Sequence, residues 1–296
     1  MHRDHTPKRW NLPHLALLSL LPLAWHFVQE HSIPPAVALG VWLALNLAVL
    51  LLAERRRPYR DDWHGDKQIM RRDGLIGGVN VVVDAAVGAM LTALVIAWLP
   101  GSITWSLPLQ VLAGVLAAEL GSYWVHRLSH AEGWLWRVHV MHHLPGRLTA
   151  TNALLAHPIN AAYDKVAKLL PLLILGLSPE AVVAIALFGI TQALATHANV
   201  AGTIGPLTWL LGGAELHRLH HSTNEAEAGN FGTTLPVWDQ VFGTYRRAAE
   251  PATVGVFEPR RYPAESALGP LLMLPFKRAT SWVSCAMKRC CPIGVH

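Results

Sequence analysis

Four apolar runs, residues 12–28, 35–53, 78–99 and 107–125, constrain this chain more than any other feature. Each approaches the roughly 20 residues a helix needs to cross about 30 Å of hydrocarbon. Inside a bilayer each backbone N–H and C=O must bond within its own segment, so such runs are helices. The expected fold is therefore all-α: a polytopic membrane protein with about four transmembrane helices and a cytoplasmic, histidine-rich helical domain. A composition of 52% hydrophobic and only 15% charged residues agrees. Arg3, Lys8 and Arg9 ahead of the first run give it the outline of a signal peptide. No small-residue cleavage pattern follows, however, and residues 29–34 form a short polar turn into the second run.

Orientation comes from the basic residues. Residues 54–73 hold Arg55, Arg56, Arg57, Arg60, Lys67, Arg71 and Arg72, which the positive-inside rule places in the cytoplasm. Two hairpins then return to that side, and the histidine-rich segment begins where the second one ends. Residues 169–177 and 181–195 are apolar but short and broken by Ser178 and Pro179, the pattern of a re-entrant or interfacial hairpin. A patch at 268–276 suits the membrane surface. The division expected is 1–77 for the N-terminal hairpin and basic loop, 78–247 for the catalytic domain, and 248–296 for a cytoplasmic or interfacial tail. A net charge of +5 lies in short runs beside apolar segments, which points to anionic headgroups and not to nucleic acid. The three cysteines, Cys285, Cys290 and Cys291, all fall in the last dozen residues, so no disulfide framework or thiolate metal site runs through the body of the chain. A tail with incidental thiols, or S-acylation at Cys290 and Cys291, accounts for them.

Seventeen histidines need a reason of their own. His126 and His130 are four residues apart and share a helix face. His139, His142 and His143 have offsets of zero, three and four, and His217, His220 and His221 repeat them, so each set can present three imidazoles on one side of a helix. Imidazole suits iron, zinc, copper or nickel, and eight nitrogens are too many for one ion but suit two that each keep an open position. The boxes lie at the ends of spans, so the ions belong just inside the cytoplasmic headgroup level. A lipid could reach them from between the helices, and a soluble electron carrier from the cytosol.

The segments HRLSH (126–130), HVMHH (139–143) and HRLHH (217–221) resemble the three histidine boxes of the fatty acid hydroxylase and sterol desaturase superfamily. Tyr123 and Trp124, LWRVH (135–139) and NFGTTLPVWDQVFGTY (230–245) resemble its bacterial sterol desaturase-like branch, and the similarity covers roughly residues 80–247. The resemblance implies dioxygen-dependent hydroxylation or desaturation of a lipid at a diiron centre, with two iron ions held by the eight box histidines. It also implies a ninth ligand between the second and third boxes, for which His197 in THANV is the best match. Where some members carry a further histidine, this chain has Asn199 or Gln192. His157 precedes a proline, which favours a cap or turn over a ligand. The remaining histidines, His2, His5, His14, His26, His31, His64 and His296, read as interfacial or tail residues. No haem motif of the HPGG type is present, so electrons come from a separate donor, whether cytochrome b5-like, a ferredoxin or a reductase.

Glu119, two turns before His126, either orients an imidazole or pairs with Asn80 or Asp84, and Asp84 has the same two readings. Asp239 either holds a ligand ring or caps a turn. Trp124, Trp134 and Trp136 suit an interfacial aromatic belt. Gly229 and Gly232, around Asn230, suit a turn beneath the third box. Two rival functions are a membrane haem electron-transfer protein, which calls for isolated axial histidines within spans, and a zinc-dependent membrane hydrolase, which calls for carboxylates among the ligands. Neither matches tripods of imidazole at span ends.

Overall fold

The computed structural model describes residues 10–63, 67–98, 103–131, 133–224, 226–247, 251 and 253–277. The three cysteines and His2, His5, His64 and His296 lie outside them. The described residues are helical, with isolated bridges and no strand: Leu12–Ser19 (α1), Leu21–Glu30 (α2), Pro35–Arg56 (α3), Lys67–Trp98 (α4), Leu107–Ser129 (α5), Trp134–His143 (α6), Pro158–Ile174 (α7), Pro179–His197 (α8), Ala214–His220 (α9), Val237–Val241 (α10) and Leu268–Leu272 (α11).

Four helical segments are long and apolar enough to cross a membrane: Leu12–Glu30, Pro35–Arg56, Lys67–Val95 and Pro179–His197. The number matches the expectation but the membership differs. Residues 181–195, expected as half of a re-entrant hairpin, lie in α8, which is capped by Ser178 and starts at a proline with its φ preset for a helix. Residues 107–125, expected as the fourth span, lie in the 23-residue α5, which turns Gln110, Glu119, Ser122 and Tyr123 into the protein interior. That polar face keeps α5 outside the apolar set. One face of α3 and of α4 turns large apolar side chains outward, Val41 65% and Val82 69% exposed, the surface a helix shows to lipid, while Trp42, Leu50, Ile76 and Leu91 pack inward.

Helix α7 packs between α4 and α5, and α8 packs against α2, α3 and α5. The approach of α7 to α5 is close because residue 121 is glycine: a Cβ there would sit 2.1 Å from the Ala167 carbonyl oxygen. At one end of the bundle two carboxylates tie the spans to the loops that carry the site. Glu54, in the last turn of α3, accepts from the Ala150 and Asn199 backbone N–H groups at 2.7 and 2.9 Å. Asp73 of α4 accepts from Thr151 and Asn152 and pairs with Arg72 at 2.7 Å. The segment 268–276, expected on the membrane surface, is anchored to the bundle on one side: Leu271 is buried with Trp136, Val140 and Met141 of α6. Pro270, Met273 and Phe276 are exposed on its other side.

Candidate metal centre

Nine histidines converge at the end of the bundle held by Glu54 and Asp73, and they form two groups. His126, His130, His139, His143 and His220 make one, and His142, His197, His217 and His221 the other, with the candidate ligand atoms of each within 4.8 Å of one another. These are the eight box histidines plus His197. The boxes do not act as tripods, however. In α6 the i,i+4 pair His139 and His143 goes to the five-histidine group while His142 crosses to the other. In the third box His217 and His221 stay together in the four-histidine group and His220 crosses. The groups touch, since the His143 and His221 rings stack with centroids 4.1 Å apart.

Hydrogen bonds at Nδ1 set the tautomers. His126 bonds the Phe231 carbonyl at 2.7 Å, His220 the Gly229 carbonyl at 2.7 Å, and His139 the Asn160 Oδ1 at 2.6 Å. In the second group His142 bonds the Leu155 carbonyl at 3.0 Å and His197 the Ala193 carbonyl at 2.7 Å. A carbonyl oxygen can only accept, so each of these four carbonyl-bonded rings carries its proton on Nδ1 and a lone pair on Nε2. The Nε2 atoms of His142 and His197 then face each other 3.1 Å apart, lone pair against lone pair. Without a cation such an arrangement repels. Around one ion with ligands about 2.1 Å away, adjacent nitrogens fall at about 3 Å, and the next contacts, His197 to His217 at 2.9 Å and His217 to His221 at 3.1 Å, continue that spacing. In the five-histidine group the Nε2 atoms of His126, His130 and His220 are buried without a protein partner. The donor set therefore fits two cations, and it is all imidazole.

Burial keeps the rings neutral. It holds His139, His143, His217 and His221 well below the usual histidine range, helped by the neighbouring imidazoles, and takes His220 to about 3. Neutral imidazole is the form that binds a metal.

The segment after the third box carries the acceptors for the first group. Asn230 takes the left-handed conformation, φ 53°, and its side chain bonds the Leu216 and Arg246 carbonyls. Gly229 and Gly232 flank it because a Cβ at either would meet a backbone oxygen at 2.5 Å, so the turn expected beneath the third box is present. Asp239, wholly buried, accepts from the Phe231 and Gly232 N–H groups, each at 2.8 Å. It holds no ring directly, contrary to one expectation, but fixes the loop whose carbonyls do. Glu119 likewise meets neither an imidazole nor Asn80 nor Asp84: it accepts from Thr234 and Leu235 N–H at 2.8 and 3.2 Å. Asp84 pairs with Lys165.

Other sequence expectations are revised too. Asn199 bonds the backbone of Arg60 through both side-chain atoms, and Gln192 bonds His14 and the Gly212 and Thr234 carbonyls, so neither replaces a histidine at the centre. His14, expected at an interface, is wholly buried because of that bond. His157 caps α7, accepting from Ile159 N–H at 3.1 Å, and stands outside both groups. Trp136 is not in an aromatic belt; it is buried against the His130 and His143 rings with its indole N–H on Tyr262 at 2.9 Å. Trp124 and Trp134 are exposed. Asn160 and Tyr262 were not legible as site residues, since neither lies in a box.

Comparison with known proteins decides the family. The fatty acid hydroxylase profile matches residues 111–244. Ornithine lipid hydroxylase OlsE of Rhizobium tropici is 31% identical over 230 residues, 71% of this chain and 68% of that protein. The chain belongs to the fatty acid hydroxylase superfamily. Further relatives of this superfamily include human alkylglycerol monooxygenase, 28% identical over 53% of this chain and 35% of its own length. Methylsterol monooxygenase 2-2 of Arabidopsis thaliana is 28% identical over 47% of this chain and 54% of its own. No solved structure matches.

Proposed function

We propose that this chain is a multi-pass membrane oxidoreductase that hydroxylates or desaturates a membrane lipid with dioxygen at a non-haem diiron centre. The observation that carries the proposal is the division of nine neutral imidazoles, six on buried and three on half-buried residues, into groups of five and four whose Nε2 atoms converge. His126, His130, His139, His143 and His220 would hold one ion, and His142, His197, His217 and His221 the other. Zinc has no redox chemistry, so iron is the ion that fits a superfamily of hydroxylases and monooxygenases. When bound, the ion pair supplies the activation of dioxygen needed to oxidise an aliphatic C–H bond. The protein's own part is to hold the Nδ1 protons on fixed carbonyls, exclude water by burial and leave the Nε2 lone pairs free.

The lipid class follows from the relatives, whose names specify ornithine lipid, alkylglycerol and methylsterol. A cytoplasm-facing centre is supported by the basic segment after α3: the Tyr59 and Arg60 backbone bonds Asn199, two residues from His197. Reducing equivalents then arrive from a separate cytosolic donor, cytochrome b5-like, a ferredoxin or a reductase.

Metal analysis of the purified protein tests the reading, together with lipid mass spectrometry of membranes from cells with and without the gene. About two non-haem iron atoms per chain, one for each histidine group, and an oxygen-dependent gain of one oxygen or loss of two hydrogens on one lipid are expected. A Soret band, or stoichiometric zinc with hydrolysis in the absence of oxygen, would overturn it.

A further inference from the structure

Trp136 is a part of the site that metal ligation leaves unexplained. Its indole is buried against two rings of the five-histidine group, with centroids 5.5 Å from His130 and 5.8 Å from His143. Phe231 faces the same group at His126, His130 and His220. The two neighbours differ in chemistry, because an indole gives up an electron readily and a phenyl ring does not. The indole also leads outward. Its N–H reaches the Tyr262 hydroxyl at 2.9 Å. Indole can only donate, so the phenol oxygen accepts there and its own O–H points elsewhere. Tyr262 is half-buried, follows the short turn Pro259–Arg261 beside the exposed Arg260, and lies outside the apolar spans. Imidazole, indole and phenol thus form one continuous chain of contacts from the five-histidine group toward the protein surface.

We propose that Trp136 and Tyr262 form an electron relay that supplies the five-histidine centre when dioxygen is reduced with no lipid in place, and that a thiol reductant regenerates Tyr262. Taking dioxygen to two waters consumes four electrons and four protons. Two ferrous ions give two of the electrons, and the oxidised lipid ordinarily gives the other two. Without the lipid, Trp136 yields an electron to the centre and keeps its N–H. Tyr262 replaces that electron while its phenolic proton passes to water. A thiol then returns one electron and one proton to the phenoxyl. A second passage uses a second thiol, the two sulfur radicals join as a disulfide, and the remaining two protons come from water. Dioxygen is reduced, two thiols are oxidised, and the ligand imidazoles are spared.

The relay has this role only if the chain is the iron-dependent oxidase proposed above, so iron content and radical are read on the same sample. Full-length protein loaded with ferrous iron, stripped of lipid and freed of reductant, is mixed with dissolved dioxygen, frozen within seconds and measured by electron paramagnetic resonance. The wild type should show a phenoxyl radical whose signal narrows when the protein is made with ring-deuterated tyrosine, and glutathione added before mixing should remove it. Tyr262→Phe should lose that signal and leave the oxidation on the indole, read as added oxygen on the Trp136 peptide by mass spectrometry. Trp136→Phe should lose the phenoxyl although Tyr262 is still present. A pair that served only packing would leave the signal unmoved by either change. Tyr262→Phe removes a single oxygen atom and covers the case in which Trp136→Phe folds poorly, and the iron content and melting temperature of both are compared with the wild type. Wild-type protein that holds both irons and consumes dioxygen without a tyrosine radical would overturn the relay alone, as would a phenoxyl signal that survives Tyr262→Phe. Protein that cannot be loaded with iron would overturn the relay and the oxidase together.

Discussion

The two histidine groups differ in how they are held. The five-histidine group takes its rings from α5, α6 and α9, and three of its Nδ1 acceptors come from outside those helices: Phe231, Gly229 and Asn160. The four-histidine group is more self-contained, because His197 bonds a carbonyl of its own helix, Ala193, and its Nε2 atoms already run in a chain at 2.9–3.1 Å. One group is aimed mainly by the loop after the third box, and the other by a carbonyl of the His197 helix together with the Leu155 carbonyl, 13 residues from His142. A site built on helices is held more tightly than one that depends on a loop. The first group should therefore be the easier to empty.

Removing a ring from either group gives the largest effect. His143→Ala and His221→Ala should each lower lipid oxidation below about a hundredth of the wild-type rate, since losing a residue that merely orients a ligand already costs 10- to 100-fold. Iron content should fall from two to about one per chain in both, because each variant spares the other group. Loss of both ions from either variant would break the division into two groups.

Acid should not discriminate between them, because burial is the first cause of the lowered histidine titrations in both. His220 titrates at about 3 when folded, against about 6.5 in an unfolded chain. The unfolded chain thus binds more protons between those values, so the stability contributed is complete above about pH 6.5 and is lost as pH falls toward 3. Melting of the metal-free protein as a function of pH checks this: a temperature flat from pH 7 to pH 4 would contradict the buried neutral rings.

Asp239→Ala tests the loop. It leaves the buried N–H groups of Phe231 and Gly232 without their acceptor, at a cost of about 1–3 kcal/mol each, and frees the carbonyls that orient His126 and His220. Affinity for one of the two ions should drop about 10- to 100-fold, with the other unchanged. A titration of metal-free protein with ferrous iron in which the weaker affinity falls further below the stronger than in the wild type would locate the weakness.

Much of this was legible in the sequence, and what was hidden follows a pattern. Helices and boxes depend on local spacing, and periodicity reports local spacing. The spacing also suggested tripods, which the structure replaces with i,i+4 pairs plus one crossing ring, because an imidazole at offset three points far enough round the helix to reach the neighbouring ion. The membership of the spans shifted where burial inside the bundle substituted for hydropathy: α5 hides Glu119 and Ser122 against protein, whereas α8 is apolar enough to qualify by composition. The supports were least visible. The acceptor for His126 is 105 residues away, and Glu119 reaches a backbone N–H at a separation of 115. No short-range pattern records such contacts.

The smallest effects compare one support from each group. Asn160 touches its ring, its Oδ1 accepting from His139 at 2.6 Å, so Asn160→Ala should weaken the five-histidine ion by about tenfold, the lower end of the range for such contacts. Asn80 acts at one remove: it holds the carbonyls of Leu154 and Ala156, between which the Leu155 carbonyl receives His142. The Leu155 oxygen stays in place by chain continuity when that amide is lost, so Asn80→Ala should change the affinity of the four-histidine ion by no more than about threefold, within the error of a single lost hydrogen bond of about 0.5–1.5 kcal/mol. Ferrous titration of both variants measures the pair. An Asn80 effect as large as that of Asn160 would mean that the four-histidine group leans on distant supports as heavily as the five-histidine group, and the contrast between the two would collapse.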